Sequence, residues 1–153
     1  MTTDTNRGYS TRRLGIINAI VDKLKEIDGN GEFNTDVYGN VHPRLKFWDE
    51  VDEFPALHLN PGAETREYQA GGYKDRFLGI TVRCYVHEED ATMALEALLE
   101  DVETVIEKHS RLQYIDRKGN YQHTQQITIV SITTDEGTLE PYGVGEIQLE
   151  VRY

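Results

Sequence analysis

Residues 77–87 read FLGITVRCYVH, and residues 88–108 follow at once as EEDATMALEALLEDVETVIEK. In the first run Leu78, Ile80, Val82, Cys84 and Val86 alternate with Phe77, Gly79, Thr81, Arg83, Tyr85 and His87. A period of two places successive side chains on opposite faces of a strand, so the first set faces a core and the second a mostly polar face. In the second run Ala94, Leu95, Leu98, Leu99, Val102, Val105 and Ile106 recur at three- and four-residue steps, the stripe of an amphipathic helix. Its start carries Glu88, Glu89 and Asp90, and its end Lys108, His109 and Arg111. Both ends complement the helix dipole, each charge contributing about 0.3–1 kcal/mol.

Outward from this strand–helix pair the same tests apply. Leu14, Ile17, Ile20 or Val21, Leu24 and Ile27 predict a first helix, capped by Ser10 or Thr11 and stopped by Gly29 and Gly31. Residues 56–59, after Pro55, read as a short strand. Residues 64–69 and 73–87 flank Gly71-Gly72 and predict a β-hairpin. Residues 127–133 form a further strand after the polar run 121–126. Residues 145–153 close the sheet, with Ile147, Leu149, Val151 and Tyr153 alternating with Gln148, Glu150 and Arg152. The expected order is α-β-β-β-α-β-β. It predicts an α+β fold, a mainly antiparallel sheet with two helices packed on one face.

With 153 residues the chain has the length of a single domain, expected over residues 11–153. Residues 1–10, polar and without apolar period, are expected to form a flexible N-terminal arm. Residues 29–43 gather Gly, Asn and Pro and predict a long irregular loop. No run approaches about 18 apolar residues, so no membrane span is expected. The polar N-terminus lacks the apolar core of a secretory signal.

Few residues suggest chemistry. The sequence has no Gly-rich phosphate loop, no nucleophile elbow and no HExxH. His87, Glu88, Glu89 and Asp90 could together hold a divalent ion, as in a metal-dependent hydrolase. A strand end followed by an acidic helix N-terminus explains the same residues. His42, His58, His109 and His123 are scattered at no ligand spacing. Cys84, the sole cysteine, lies on the apolar face of its strand and reads as a small core residue. Neither a catalytic residue nor a cofactor is expected.

Charge points to partners instead. Against 27 Asp and Glu stand 16 Lys and Arg, a net charge of −11. Such a chain is repelled by nucleic-acid phosphates unless its bases are gathered. Arg12-Arg13 and Arg44-Leu45-Lys46 are small basic spots. On the hairpin Arg66, Tyr68, Tyr73, Lys74 and Arg76 bring aromatics and bases together, residue types that concentrate binding energy at protein interfaces. They are the expected subunit or partner interface, reached through the hairpin 64–76. The second helix region carries Glu88, Glu89, Asp90, Glu96, Glu100, Asp101, Glu103 and Glu107 against Lys108. It reads either as a solvated face or as an acidic surface turned to a basic partner or a DNA passage.

The element order and three stretches resemble the tail terminator family of long-tailed bacteriophages. They are the helix 13–27, the run FPALHL at 54–59, and Asp135-Glu136 with PYGVGEIQLEVRY at 141–153. Between them lies the strand 78–87 running into its acidic helix. The resemblance covers nearly the whole chain, residues 29–43 excepted.

It implies a structural virion protein that forms a homohexameric ring. The ring would cap the head-proximal end of the tail tube, stop tube polymerisation and join the tail to the neck and head. Implied partners are the tail tube protein and a neck or head-completion protein, with the sheath protein a further candidate. Assembly in the host cytoplasm and a place in the virion tail or neck follow from it, with no membrane. DNA would pass through the lumen without specific binding. Six copies at −11 each would carry −66, which suits such a passage. A tail-completion or head–tail joining protein shares this outline. A monomeric module for a basic partner is the alternative of a different class.

Overall fold

Thr11 accepts a hydrogen bond from the Leu14 amide at 3.0 Å and so starts helix α1, Arg12–Leu24. The computed structural model describes residues 11–153, and the arm expected over 1–10 lies outside the described residues. Helix α1 buries Ile16, Ile17, Ile20, Val21 and Leu24. Leu14, expected on that stripe, is exposed, and Ile16 takes its place against the core. The helix stops three residues before Ile27, which is nevertheless fully buried, and Gly29 and Gly31 follow with positive φ.

Five strands build the main sheet, the decisive one among them. They are β1 Val41–His42, β2 Ala56–Tyr68, β3 Lys74–His87 and, after helix α2 at Ala91–Lys108, β6 Gln126–Thr134 and β7 Tyr142–Arg152. A separate small hairpin, β4 Gln113–Ile115 and β5 Tyr121–His123, precedes β6. The main sheet has the order β1-β2-β3-β7-β6. All its pairs are antiparallel except β1 with β2. Leu78, Ile80, Val82, Cys84 and Val86 all face the core, each at most 4% exposed, and Ile80 and Val82 pair with Leu149 and Ile147 on β7. Each such aliphatic side chain stabilises the fold by about 1.5–3 kcal/mol. Both helices lie against this face, α1 over β2 and α2 over β3, β6 and β7. The fold is α+β, with a mostly antiparallel sheet.

Several local differences have physical reasons. The expected strands 56–59 and 64–69 are one strand, β2, with a bulge between Pro61 and Glu64 where proline supplies no ladder amide. The turn between β2 and β3 is a short 3-10 segment, Ala70–Gly72, with Gly71 and Gly72 at positive φ. Strand β7 starts at Tyr142, earlier than the expected start at Gly145, because Gly143 also belongs to it. A Cβ on Gly143 would meet Val86 Cγ2 at 2.7 Å, and one on Gly145 would meet Leu99 Cδ2 at 3.0 Å. Those glycines mark where α2 presses on the sheet.

The polar run 121–126 is also structured. Asp116 accepts hydrogen bonds from the Lys118 and Asn120 amides, both at 2.9 Å, and turns the chain between β4 and β5. Helix α1 approaches this hairpin so closely that a Cβ on Gly15 would lie 2.5 Å from the Ile115 carbonyl.

The irregular stretch 29–43 is held by α2. Asp101 is fully buried and accepts from the Asn34 amide at 2.9 and 3.0 Å, the Thr35 amide at 2.7 Å and the Thr35 hydroxyl at 2.6 Å. Asp90 is the N-cap of α2, accepting from the Met93 amide at 3.1 Å. Two of the eight acids expected on one surface thus have structural tasks.

Candidate functional site

The hairpin of β2 and β3 carries the expected interface residues, and the structure sorts them into two groups. Arg66 pairs with Arg76 and Tyr68 with Lys74 across the ladder. Because the side-chain period is two, these four and Glu64 lie on the face that further along holds Leu78. Tyr68 and Tyr73 at the tip are 72% and 76% exposed. The Lys74 ammonium sits 5.8 Å from the centre of the Tyr68 ring, and Tyr73 follows the two left-handed glycines.

Arg76 sits deeper. Its guanidinium lies 5.4 Å from the centre of the Tyr153 ring, and that of Arg12 lies 5.1 Å from the same ring. The backbones of Arg76 and Tyr153 exchange hydrogen bonds of 3.2 and 2.9 Å. Arg76 therefore belongs to the root of the arm, and Arg66, Tyr68, Tyr73 and Lys74 to its exposed part.

Glu64 binds these parts together. Its side chain is 5% exposed and accepts from Arg66 Nε at 2.8 Å and from the Tyr153 hydroxyl. Burial alone would raise this carboxyl, but the hydrogen bonds from Tyr153 and Arg66 hold it below the usual range. Burial, together with the neighbouring Glu64, pushes the Tyr153 phenol up to about 12. Arg13 donates to the carbonyl of Gly62 in the bulge. The basic spot Arg12-Arg13 thus joins Arg66, Lys74 and Arg76 at one end of an otherwise acidic chain.

The opposite end of β3 carries a second surface that the sequence did not single out. His87 and Tyr142 are ladder partners whose rings stack at 4.2 Å and 7°. Trp48 lies 5.3 Å and Phe54 5.8 Å from the Tyr142 ring. Trp48 is partly exposed beside this group, and Phe47 and Tyr38 are 68% and 80% exposed. The only sequence signal was the aromatic content of the irregular segments 38–54. With β3 fourteen residues long, the two ends lie roughly 40–45 Å apart.

The face of β3 expected to be polar is covered near this second end. The segment 43–55 folds over it, the Tyr85 hydroxyl donates to the Lys46 carbonyl, and His58 Nδ1 lies 2.9 Å from the Arg44 carbonyl. Tyr85 and His58 are buried as a result. Further down, the face stays half-exposed, with Arg83 Nε 3.2 Å from Glu146 and Gln148 Nε2 3.0 Å from the Thr81 hydroxyl.

The residues weighed for metal chemistry do not converge. His87 stacks on Tyr142 and Asp90 caps α2. No three His, Cys, Asp or Glu among the described residues come together as a metal site. Cys84 is fully buried, and burial raises its thiol far above the usual value. No helix among the described residues is long and apolar enough to cross a membrane.

What the described residues gather is exposed tyrosines and bases at one end of β3 and a cluster of aromatic rings at the other. The chain belongs to the family of bacteriophage tail tube terminator proteins, which matches residues 10–153. It is 36% identical over 149 residues to the tail tube terminator protein p142 of Escherichia phage T5, covering 92% of each chain. A chain in the solved virion of a native gene transfer agent particle shares the fold with a TM-score of 0.55 at 7% identity, over 90% of this chain and 93% of that one. Membership makes this a structural protein of a phage tail.

Proposed function

We propose that the protein assembles as a homohexameric ring on the head-proximal end of the tail tube, stops tube polymerisation there and joins the tail to the neck. The family match over residues 10–153 carries this reading. The geometry supports it by offering two separate surfaces, as a ring between tube and neck requires. The arm reaches a neighbouring subunit or the tube through Arg66, Tyr68, Tyr73 and Lys74, with Arg76 positioning it from its root. The aromatic end around Trp48 and Tyr142 meets a different component. With −11 on every copy, DNA slides through the lumen without specific binding. The ring assembles in the host cytoplasm and stays in the virion neck.

The test adds purified protein to polymerising tail tube subunits and examines the tubes by electron microscopy. Growth should stop, with a ring at one tube end. The double variant Tyr68→Ala, Tyr73→Ala should keep its fold, since both side chains are exposed, and lose capping. Tubes that lengthen as freely with the protein as without it would overturn the reading.

A further inference from the structure

A cavity of about 380 Å³ opens beside the aromatic end, where residues of the segments 34–38, 54–55 and 86–94 meet. Its lining combines three rings, Tyr38, Phe54 and His87, with two carboxylates, Asp36 and Glu88, and holds no Lys or Arg. The Phe54 and His87 rings stand edge to face at 5.5 Å. Asp36 accepts the Tyr38 amide through Oδ1 at 2.7 Å, and the Tyr38 ring stays exposed. Among the described residues no Lys, Arg or His pairs with either carboxylate. The imbalance extends beyond the lining. From Glu26 to Pro43, from Phe47 to Asn60 and from Cys84 to Glu107, the runs that supply it, no residue is Lys or Arg, while 16 of the 27 acids fall there.

We infer that this cavity receives an arginine side chain presented by the component that meets the aromatic end, a protein other than this chain. The chemistry of the lining selects the occupant. A guanidinium stacks flat on an aromatic ring and donates in parallel to a carboxylate, so it uses rings and acids together. A metal ion needs more converging ligands, and among the described residues no third one joins Asp36 and Glu88. Nucleic acid or an acidic peptide meets repulsion here. The same end of a second copy brings no base to the cavity, because its lining runs carry none. Glu88 and Asp36 pair with the incoming guanidinium, and Tyr38 and Phe54 flank it. The inference rests on the reading that this end meets a different component, and it names the chemistry by which that component is held.

NMR titration of the full chain with a blocked Gly-Arg-Gly peptide tests it, with citrulline replacing arginine as the uncharged isostere. Amides of residues 36–38, 54 and 87–88 should shift with the arginine peptide, and the citrulline peptide should bind about tenfold more weakly. The double variant Asp36→Asn, Glu88→Gln should lose about tenfold in arginine binding. Glu88→Gln alone, a change at an exposed side chain that leaves the fold intact, should weaken it as well. Equal binding of citrulline, shifts spread along α2 instead of at the cavity, or undiminished binding by both variants overturns the arginine site and leaves the ring reading untouched. On tail tubes the double variant should cap like the wild type, and its capped tails should fail to join heads. Loss of capping would put a neighbouring copy or the tube on the cavity and overturn the assigned partner, as would variant tails that join heads normally. A wild type that neither forms rings nor caps tubes overturns the ring reading, whatever the titration gives.

Discussion

The Tyr153 hydroxyl donates a hydrogen bond to the Glu64 carboxylate, joining the chain just past β7 to the root of the arm. The carboxylate is almost wholly buried and its other close partner is Arg66. Removing the hydroxyl leaves a buried charge short of a donor. We predict that Tyr153→Phe costs about 1–3 kcal/mol in urea unfolding, while the exposed tip change Tyr73→Ala stays within about 0.5 kcal/mol. Equal stability of Tyr153→Phe and wild type would show that Arg66 and water satisfy Glu64 alone.

Asp101 is the peg on which the segment 33–36 hangs. Its buried oxygens accept from two backbone amides and two side chains. We predict that Asp101→Ala destabilises the protein by about 3 kcal/mol and speeds amide exchange at Asn34 and Thr35 first. Asp101→Asn, which keeps one acceptor oxygen, should fall between the two. Unchanged exchange at Asn34 and Thr35 in Asp101→Ala would remove the peg from the account of this loop.

His58 gives the fold an acid sensitivity. Burial lowers its pKa below 6.5, the Arg44 carbonyl opposing and the nearby His42, Lys46 and Arg44 charges assisting. The unfolded chain then binds a proton that the folded chain refuses, between the lowered value and 6.5. This contribution to stability is fully present above 6.5 and is lost as pH falls below it. We predict a melting temperature that declines below pH 6.5, with a shallower decline in His58→Gln. Parallel pH curves for the two proteins would assign the effect to other groups.

The sheet and helices were legible because their periods are strong. Every core residue expected on β3 is buried, from Leu78 to Val86. Isolated residues misled where tertiary contact outweighed pattern. Gly143 lay outside the expected closing strand, yet it belongs to β7 and with Gly145 serves close packing under α2. Asp101 read as one more surface acid, since nothing local marks a carboxylate whose donors lie 66 and 67 positions away. Tyr85 alternates onto the polar face yet is sealed by segment 43–55, whose path no periodicity foretells. The hairpin tip was visible as aromatics and bases around Gly-Gly. The cluster of His87, Tyr142, Trp48 and Phe54 was not, because ladder pairing and a folded loop assemble it from three distant segments.

Strand β3 runs from Lys74 to His87 with no bulge against β7, gripped on both flanks by long ladders. A pull along β3 would therefore load the backbone hydrogen bonds of both ladders together, in shear. The subunit is laid out as a strut, with exposed tyrosines and Lys74 at one extremity, the His87–Tyr142 ring stack at the other, and paired ladders holding the middle straight.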